Sequence, residues 1–154
     1  SSDVCSTDLG VTGTALAADG RTMYYLSELS DSIRAWDVVE YKTLPNLVTY
    51  PAGSGDMAMT VMYLPDGRLT HIRANFKAGF FLQILSDKGE VVREYPMPGP
   101  GWAATGKSTE KDTVLIGNFF TGTVAKFDLA SGQITARAET NVQRSLAGLA
   151  QFGG

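Results

Sequence analysis

Short runs in which apolar and polar residues alternate recur along this chain, and turn residues separate them. Alternation with a period of two is typical of strands that bury one face. Val, Ile, Tyr, Phe and Thr, which favour strands, dominate the runs. Pairs such as Asp19-Gly20 and Asp66-Gly67 stand between them, where a tight hairpin requires a residue that accepts a positive φ. No segment sustains a helical period, so the pattern predicts an all-β fold.

The runs repeat with a period of roughly 40 to 50 residues. The markers of the repeat are a turn aspartate before the second strand (Asp19, Asp66, Asp112) and an aspartate that ends the third strand (Asp37, Asp87, Asp128). A repeat of this length built from short strands indicates β-propeller blades. We therefore predict a β-propeller segment of three four-stranded blades plus one extra strand, completed by another copy of the chain or by a missing segment.

The predicted blades cover approximately residues 11–54, 55–99 and 100–140 of a single domain 1–154, and a tail strand covers 141–154. The predicted strands are Gly13–Ala17, Thr22–Ser27, Ile33–Val38, Leu47–Tyr50, Ala58–Tyr63, Leu69–Arg73, Phe80–Leu85, Val91–Tyr95, Trp102–Gly106, Thr113–Gly117, Thr123–Asp128 and Ile134–Ala138. Prolines such as Pro45 are expected at strand starts or connections. Composition alone also allows a short helix at Arg144–Ala150, but the likeness of Ala147–Gly153 to the opening strands favours a strand.

Four stretches resemble bacterial propeller proteins of the NHL-repeat type: Ala18–Tyr25, Tyr63–Leu69, Gly122–Gly132 and the closing Leu146–Gly153. More distantly, the chain is similar to gluconolactonase-like lactonases and streptogramin B lyases. The resemblance implies a propeller fold. It does not select an activity, because this fold carries hydrolases, lyases and binding modules alike.

The catalytic residues of those enzymes do not carry over. The lactonase resemblance implies a metal-binding Asn at the position of Thr12, whose hydroxyl is a poorer metal ligand than an amide oxygen. Asp56 lies near the place of a further lactonase Asp, but the matching position is closer to Met59. The lyases use a His-Gly pair, whereas the only histidine here, His71, precedes Ile72. We therefore predict no catalytic residue, no metal and no cofactor, with a lactonase-like hydrolase or lyase carrying an axial metal as the alternative.

Candidate binding residues fall in the loop that joins the second and third strands of each copy. Such loops gather at one end of a propeller, where exposed aromatic residues beside Asn and Glu suit recognition of a protein or a carbohydrate. The residues selected on this ground are Glu28, Asp31, Asn75, Phe76, Asn118, Phe119 and Phe120. For the two asparagines, the left-handed turn geometry offers a purely structural interpretation.

His71 and Arg73 interrupt the apolar pattern of a second strand and complete the set of candidate binding residues. Alternation places both on the face of Leu69, opposite Ile72 and Ala74. One interpretation is a hydrogen-bonded structural pair near the sheet edge, and the other is a polar contact on the ring axis or at a partner surface. A histidine also offers a response to pH near neutrality.

Two other patterns have structural interpretations. Met57 and Met59 share a predicted strand face with Val61, which favours core packing. The aspartates that end the third strands are expected to cap hairpin turns.

Charge and composition narrow the choice of partners. Lys and Arg number 13 against 16 Asp and Glu, and no basic stripe appears, so we predict no nucleic-acid binding. No apolar run approaches the roughly 20 residues of a membrane helix, so no membrane partner is predicted. No signal peptide is visible at Ser1, although one could have been removed, and the Gly, Thr and Ser content favours an extracellular or periplasmic protein. Cys5, the only cysteine, is either an inert thiol or half of a bridge to another chain or a missing segment.

We therefore expect a non-catalytic binding or scaffold module that recognises a protein or glycan through its blade loops. A structural subunit of a ring or filament is a further alternative. Because three blades leave two open sheet faces, self-association into a homodimer or larger assembly is also predicted.

Overall fold

The computed structural model describes residues 11–27 and 29–141. The leader with Cys5, the side chain of Glu28 and the predicted tail strand beyond Asn141 lie outside the described residues. Within them, twelve strands form three separate four-stranded antiparallel sheets, and no helix has the length and apolar character needed to cross a bilayer. The predicted all-β segment of three four-stranded blades is confirmed.

Each sheet is a simple meander, in which strands that are consecutive in the chain are neighbours in space. Blade 1 contains β1 (Gly13–Leu16), β2 (Thr22–Leu26), β3 (Ser32–Asp37) and β4 (Lys42–Thr49). Blade 2 contains β5 (Met57–Tyr63), β6 (Leu69–Asn75), β7 (Gly79–Leu85) and β8 (Val91–Pro96). Blade 3 contains β9 (Trp102–Lys107), β10 (Thr113–Asn118), β11 (Thr123–Asp128) and β12 (Gln133–Glu139).

The first strands of the blades bring the three sheets together. Strand β5 packs against β1 on one side and β9 on the other, so the blades follow one another around a common axis in sequence order. This is the arrangement of consecutive blades in a β-propeller.

Side-chain caps close the turns, and one of them differs from the prediction. The Asp37 Oδ1 accepts hydrogen bonds from the backbone N–H of Val39 and Glu40, both at 2.9 Å, and Asp128 makes the same kind of turn with Ala130 and Ser131. In blade 2 the Ser86 hydroxyl, not the Asp87 carboxylate, accepts from the backbone of Lys88 and Glu90. The three blades therefore share this turn geometry, but in blade 2 the capping residue stands one position earlier.

The outermost strand of every blade is bulged where it pairs with its neighbour. The register shifts between Ile33 and Ala35 on β3, between Ile84 and Leu85 on β7, and between Lys126 and Phe127 on β11. Pro45 lies opposite the first shift, inside β4, and not at a strand start as predicted. A bulge on an edge strand tolerates proline, because no ladder hydrogen bond is lost there, and this allows β4 to begin at Lys42, earlier than the predicted Leu47.

A further bulge on β5 separates residues that the sequence pattern placed together. The register shifts between Ala58 and Thr60, so Met59 packs between blades 2 and 3 whereas Val61 packs between blades 1 and 2. The prediction that Met59 shares a face with Val61 is wrong, because the extra residue breaks the period of two. The alternation predicted for β6 is confirmed, since Leu69 faces blade 1 while Ile72 and Ala74 face blade 3.

Two apolar clusters hold the blades together. The cluster between blades 2 and 3 includes Ile72, Phe80, Leu82, Val114, Ile116 and Phe127. The smaller cluster between blades 1 and 2 includes Tyr24, Leu26, Ile33, Val61, Leu69 and Leu85. Both consist of side chains from facing sheets, as expected of blade-to-blade packing.

Candidate binding face and the polar cluster between the first two blades

The loops after the second strands of blades 2 and 3 have the same construction. The Asn75 Oδ1 accepts hydrogen bonds from the backbone N–H of Lys77 and Ala78 at 3.0 and 2.9 Å. The Asn118 Oδ1 does the same with Phe120 and Thr121, at 3.0 and 3.2 Å. Asn75 and Asn118 are therefore equivalent positions of the repeat, and each holds its loop in an Asx turn.

The amide groups of these two asparagines also tie each loop to the preceding blade connection. The Asn118 Nδ2 donates to the Pro100 carbonyl at 2.8 Å, and only 3% of Asn118 is exposed. The Asn75 Nδ2 donates to Asp56 Oδ1 at 3.0 Å and lies 3.3 Å from the Ser54 carbonyl. The expectation that these amides are presented to a ligand is corrected, because both ends of each amide bond to the protein itself.

The aromatic residues of the loops divide into exposed and packed rings. Phe76 is 59% exposed and Phe120 42% exposed. Phe119 is half-buried and packs against the apolar cluster between blades 2 and 3, so it belongs to the core and not to the predicted recognition face. The Phe76 ring meets Phe80 edge-to-face at 5.6 Å, and this contact holds it in one position.

The Phe120 ring packs over Gly101, a position where a larger residue would clash. A Cβ on Gly101 would stand 2.8 Å from the Phe120 ring and 2.5 Å from the Asn118 Oδ1. Gly101 also has a φ of 99°, which disfavours any other residue. The connection between blades 2 and 3 therefore fixes the exposed ring from below.

In blade 1, the corresponding loop contributes an exposed residue that the sequence analysis did not select. Leu29 is 49% exposed and has a φ of 61°, unusual for a branched side chain. Asp31, which was selected, is exposed, and its carbonyl accepts from the Tyr50 N–H at 2.7 Å. The sequence signal that could have identified Leu29 is an apolar residue within a turn of otherwise polar residues.

The three loops lie at one end of the propeller segment. The Ser30 carbonyl, in the blade 1 loop, accepts a 2.7 Å hydrogen bond from the N–H of Ala58 at the start of β5. The Phe119 N–H, in the blade 3 loop, donates to the Gly101 carbonyl at 2.8 Å. Each of these loops thus lies next to a connection between blades. The loops and the connections are therefore at the same end of the sheets. We call the exposed side chains of Leu29, Phe76 and Phe120 the loop face.

His71 lies away from the loop face, in the interior between blades 1 and 2, with no exposed surface. Its Nδ1 is 3.0 Å from the Thr60 carbonyl, and its Nε2 is 2.6 Å from the Tyr50 hydroxyl. Because a carbonyl can only accept, Nδ1 carries the proton and Nε2 accepts from Tyr50. Both ring nitrogens are satisfied within the protein, so His71 does not line a partner surface.

The environment of His71 favours its neutral form. Burial, opposed by the hydrogen bond to Thr60 and assisted by the nearby Arg73 charge, lowers the pKa of His71 to about 4. Burial also raises the pKa of the Tyr50 hydroxyl. At neutral pH the pair is therefore uncharged, with Tyr50 as the donor.

Arg73 is the centre of an ionic network beside this pair. Its guanidinium lies 2.7 Å from Asp56 Oδ1 and 3.3 Å from Glu94 Oε2, and its charge is 4.3 Å from the centre of the Phe81 ring. Gln83 donates to Glu94 Oε2 at 2.6 Å. Burial opposes the charged form of Asp56, but hydrogen bonds from Asn75 and Arg73 outweigh it and lower the pKa of Asp56. We call Tyr50, His71, Arg73, Gln83, Glu94 and Asp56 the polar cluster.

Sequence reasoning found only part of the polar cluster. His71, Gln83 and Glu94 are direct cross-strand partners on β6, β7 and β8, so a correct register would have joined them. Tyr50 comes from the connection after β4, and no local pattern pointed to it. The structural interpretation of His71 and Arg73 is the one that these contacts support.

Four threonines line the opening at the propeller axis: Thr12, Thr14, Thr60 and Thr105. The opening has a volume of about 180 Å³ and also borders Met59 and Met62. The Thr60 hydroxyl accepts from the Ile72 N–H at 3.1 Å, and the Thr12 hydroxyl faces the Leu26 carbonyl at 3.4 Å. In the part of the chain that the structure describes, no three His, Cys, Asp or Glu side chains come close enough to bind one metal ion.

Comparisons with known proteins identify the fold. No family model matches the chain, and no curated protein matches it. Among solved structures, hydrazine synthase of Kuenenia stuttgartiensis superposes with a TM-score of 0.61 at 18% identity, covering 84% of this chain and 37% of that chain. A protein of unknown function from Bacteroides caccae gives 0.59 at 18% identity, with 86% and 47% covered. A streptogramin B lyase gives 0.61 at 11% identity, with 92% and 44% covered.

At these identities the likeness shows the fold alone, and the fold is that of a β-propeller. The chain spans less than half the length of the structures that it matches. The resemblance to NHL-type repeats stays a prediction, because no family model supports it.

Proposed function

We propose that this chain is a β-propeller binding module that recognises an apolar surface of a protein partner through the loop face. The observation that carries the proposal is the recurrence of one exposed apolar side chain in the same loop of all three blades: Leu29, Phe76 and Phe120. Isolated exposed apolar residues are common on proteins, but three in the corresponding loops at one end form a candidate site, although Phe76 and Phe120 differ by one position within the loop.

The surroundings of the loop face favour a protein over a carbohydrate. Sugar binding needs polar groups that are free to pair with hydroxyls. The nearby amides of Asn75 and Asn118 are engaged in their own loops. The described loops also expose Asp31, Lys77 and Thr121, but the apolar area of Leu29, Phe76 and Phe120 is the kind of contact that anchors protein interfaces.

The rigidity of the loops supports the same proposal. The Asx turns fix both backbones, Phe80 fixes the Phe76 ring, and Gly101 supports the Phe120 ring. A surface that is ordered before binding loses little conformational entropy on association. Loops held on a sheet scaffold are a common location for binding residues.

The test compares the loop face with the opposite end of the same molecule. A photo-crosslinking amino acid at position 77 is expected to trap a partner in cells, whereas one at position 40, at the other end, should not. The trapped protein is then purified and titrated with the chain by calorimetry. We expect the Phe76→Ser/Phe120→Ser double variant to lose at least tenfold in affinity with an unchanged melting temperature.

Val39→Ser/Tyr41→Ser is the matched control, since these residues are 61% and 78% exposed at the opposite end. The control should bind like the wild type. Equal affinity of the loop-face variant and the wild type would contradict the proposal. A glycan that binds the wild type on an array and is lost in the loop-face variant would replace the protein partner with a carbohydrate.

A further inference from the structure

The outer face of blade 1, which points away from blade 2, carries large side chains in register. Leu16 pairs with Met23, and Met23 with Trp36, while Tyr25 lies two residues further along β2 on the same face. The alternate residues Tyr24 and Leu26 are buried against blade 2. Leu16 is 55% exposed, Met23, Tyr25 and Trp36 are half-buried, and the exposed Arg34 pairs with Tyr25 on the same face. We call Leu16, Met23, Tyr25 and Trp36 the ridge.

The outer face of blade 3, which points away from blade 2, carries smaller side chains around a depression. Ala136 and Ala138 of β12 face Lys126 and Val124 of β11, and Leu115 pairs with Lys126 from the other side. These residues line a shallow groove of about 310 Å³ with a mainly apolar lining. The Lys126 ammonium forms an ion pair with Glu110, and the exposed Arg137 also borders the groove. We call Leu115, Val124, Ala136 and Ala138 the groove.

The repeat shows what each outer face is shaped to meet. With Asn75 and Asn118 as equivalent positions, Leu115 of the groove corresponds to Ile72, which packs against the following blade. On blade 1, Met23 and Tyr25 occupy the strand face that Val114 and Ile116 use in blade 3 to pack against the preceding blade. The outer faces of blades 1 and 3 therefore correspond to the two complementary halves of one blade-to-blade contact.

We infer that a second copy of this chain covers both faces, the ridge of each copy packing into the groove of the other. The contact is heterologous, and two such contacts related by a two-fold axis close a ring of six blades. The occupant is a second copy because the chain itself carries both matching surfaces, large side chains on one and small ones on the other.

The test uses one charged substitution in each face of the full chain. Trp36→Arg changes the ridge and Val124→Arg the groove, and the same sign in both prevents a new ion pair between them. By sedimentation velocity the wild type is expected at twice the mass of the chain. Each variant alone should be monomeric, because every contact in its ring would contain one altered face.

Mixing the two variants supplies the decisive result. In a mixed pair, the unaltered groove of one variant meets the unaltered ridge of the other, so a 1:1 heterodimer is expected with affinity at least tenfold above that of either variant for itself. If the dimer used one face only, one of the variants would remain dimeric and mixing would not increase the affinity. This result would overturn the inference. A wild-type monomer at micromolar concentration, or open oligomers that grow with concentration, would also overturn it.

Folding is checked by circular dichroism for each variant. If a half-buried position fails to tolerate arginine, Leu16→Arg and Ala138→Arg replace the pair, because both residues are exposed. Phe76→Arg, on the loop face, is the control and should remain dimeric. A monomer formed by a longer polypeptide, whose further blades cover the two faces, would also overturn the inference.

Discussion

The two contacts between adjacent blades share one geometry but differ in chemistry. Between blades 2 and 3 the centre is apolar, with Tyr95 and Phe127 edge-to-face at 5.5 Å. Between blades 1 and 2 the equivalent region holds the polar cluster. By the equivalence of Asn75 and Asn118, His71 and Arg73 of blade 2 occupy the positions of Val114 and Ile116 in blade 3. The repeat thus tolerates polar residues in its interior wherever neighbouring strands supply their partners.

This difference predicts different weaknesses. An apolar contact is sensitive to lost volume, because a cavity remains where a side chain is truncated. A buried polar contact is sensitive to losing one partner, because the other is then left without water or a hydrogen bond. It is also sensitive to pH through His71, whereas the apolar contact contains no such group among its described residues.

The largest expected effect is truncation in the apolar contact. Phe127 is 1% exposed, so Phe127→Ala should lower the free energy of unfolding by about 3–5 kcal/mol. Urea denaturation measures the change. Phe76→Ala removes the same atoms at an exposed site and serves as the control, with an expected loss below about 0.5 kcal/mol. Similar losses for the two variants would show that the contact between blades 2 and 3 does not limit stability.

The second effect is a loss of stability on acidification, and it arises in the contact between blades 1 and 2. The folded-state pKa of His71 is about 4, against 6.5 for an ordinary histidine. Between these values the unfolded chain binds the extra proton, so stability is fully present above pH 6.5 and falls as the pH drops towards 4. The loss between pH 7 and pH 4.5 is about 2 kcal/mol, measured as the free energy of unfolding at each pH.

His71→Gln should remove most of this pH dependence, whatever it does to stability at pH 7. Asp37 titrates in a separate window, because hydrogen bonds from the Glu40 backbone and from Arg21 lower its pKa to about 2, against burial. Its contribution to stability is present above its ordinary pKa of 3.8 and is lost as the pH falls towards 2. As the only histidine, His71 can also be followed directly by NMR, and a native-state pKa near 6.5 would contradict the buried neutral pair.

The third effect isolates a single hydrogen bond in each contact. Tyr50→Phe leaves the buried Nε2 of His71 without its donor and should cost about 1–3 kcal/mol in the free energy of unfolding. Tyr95→Phe removes the 2.8 Å bond to the Leu129 carbonyl between blades 2 and 3 and is the matched control. Both variants keep the ring contacts and leave one acceptor without its donor, so Tyr95→Phe should cost about as much. A loss for Tyr50→Phe well below that for Tyr95→Phe would show that the polar contact is the less sensitive of the two.

The smallest effect concerns the ion pairs at the end opposite the loop face. Arg68 reaches across to Asp112 of blade 3 at 2.6 Å, whereas Arg21 pairs with Asp37 within blade 1 at 2.8 Å. Arg68→Ala should lower the free energy of unfolding by less than about 1 kcal/mol, and the change should shrink in 1 M salt. Arg21→Ala is the control within one blade. A loss above 2 kcal/mol for Arg68→Ala would show that charge, and not apolar packing, dominates this contact.

The architecture could be predicted from the sequence because the blade repeat depends on local signals. Turn glycines and alternating strands place most strands within a few residues, as for Thr123–Asp128, whereas β4 begins five residues before its predicted start. The faces of β6 also followed from the period of two. These features depend on neighbours in the chain, which a sequence displays directly.

The features that the sequence missed depend on distant contacts. The bulge at Met59 reverses which blade the following residues meet, and nothing local marks it. Asn118 is buried because the connection before β9 passes over it, and Phe119 joins the core for the same reason. The structure therefore corrects the predicted site more than the predicted fold. Phe76 and Phe120 are exposed as predicted, Leu29 is an exposed residue that was not predicted, and His71 is buried.

The bulges on the three outermost strand pairs have a consequence for aggregation. An outermost strand presents unpaired N–H and carbonyl groups, which can template the addition of a foreign strand. An extra residue twists the strand and breaks the even spacing that such addition requires, and Pro45 removes a donor from β4 altogether. Even with Val91 and Val92 exposed on β8, the rim of this molecule is therefore a poor seed for amyloid-like growth.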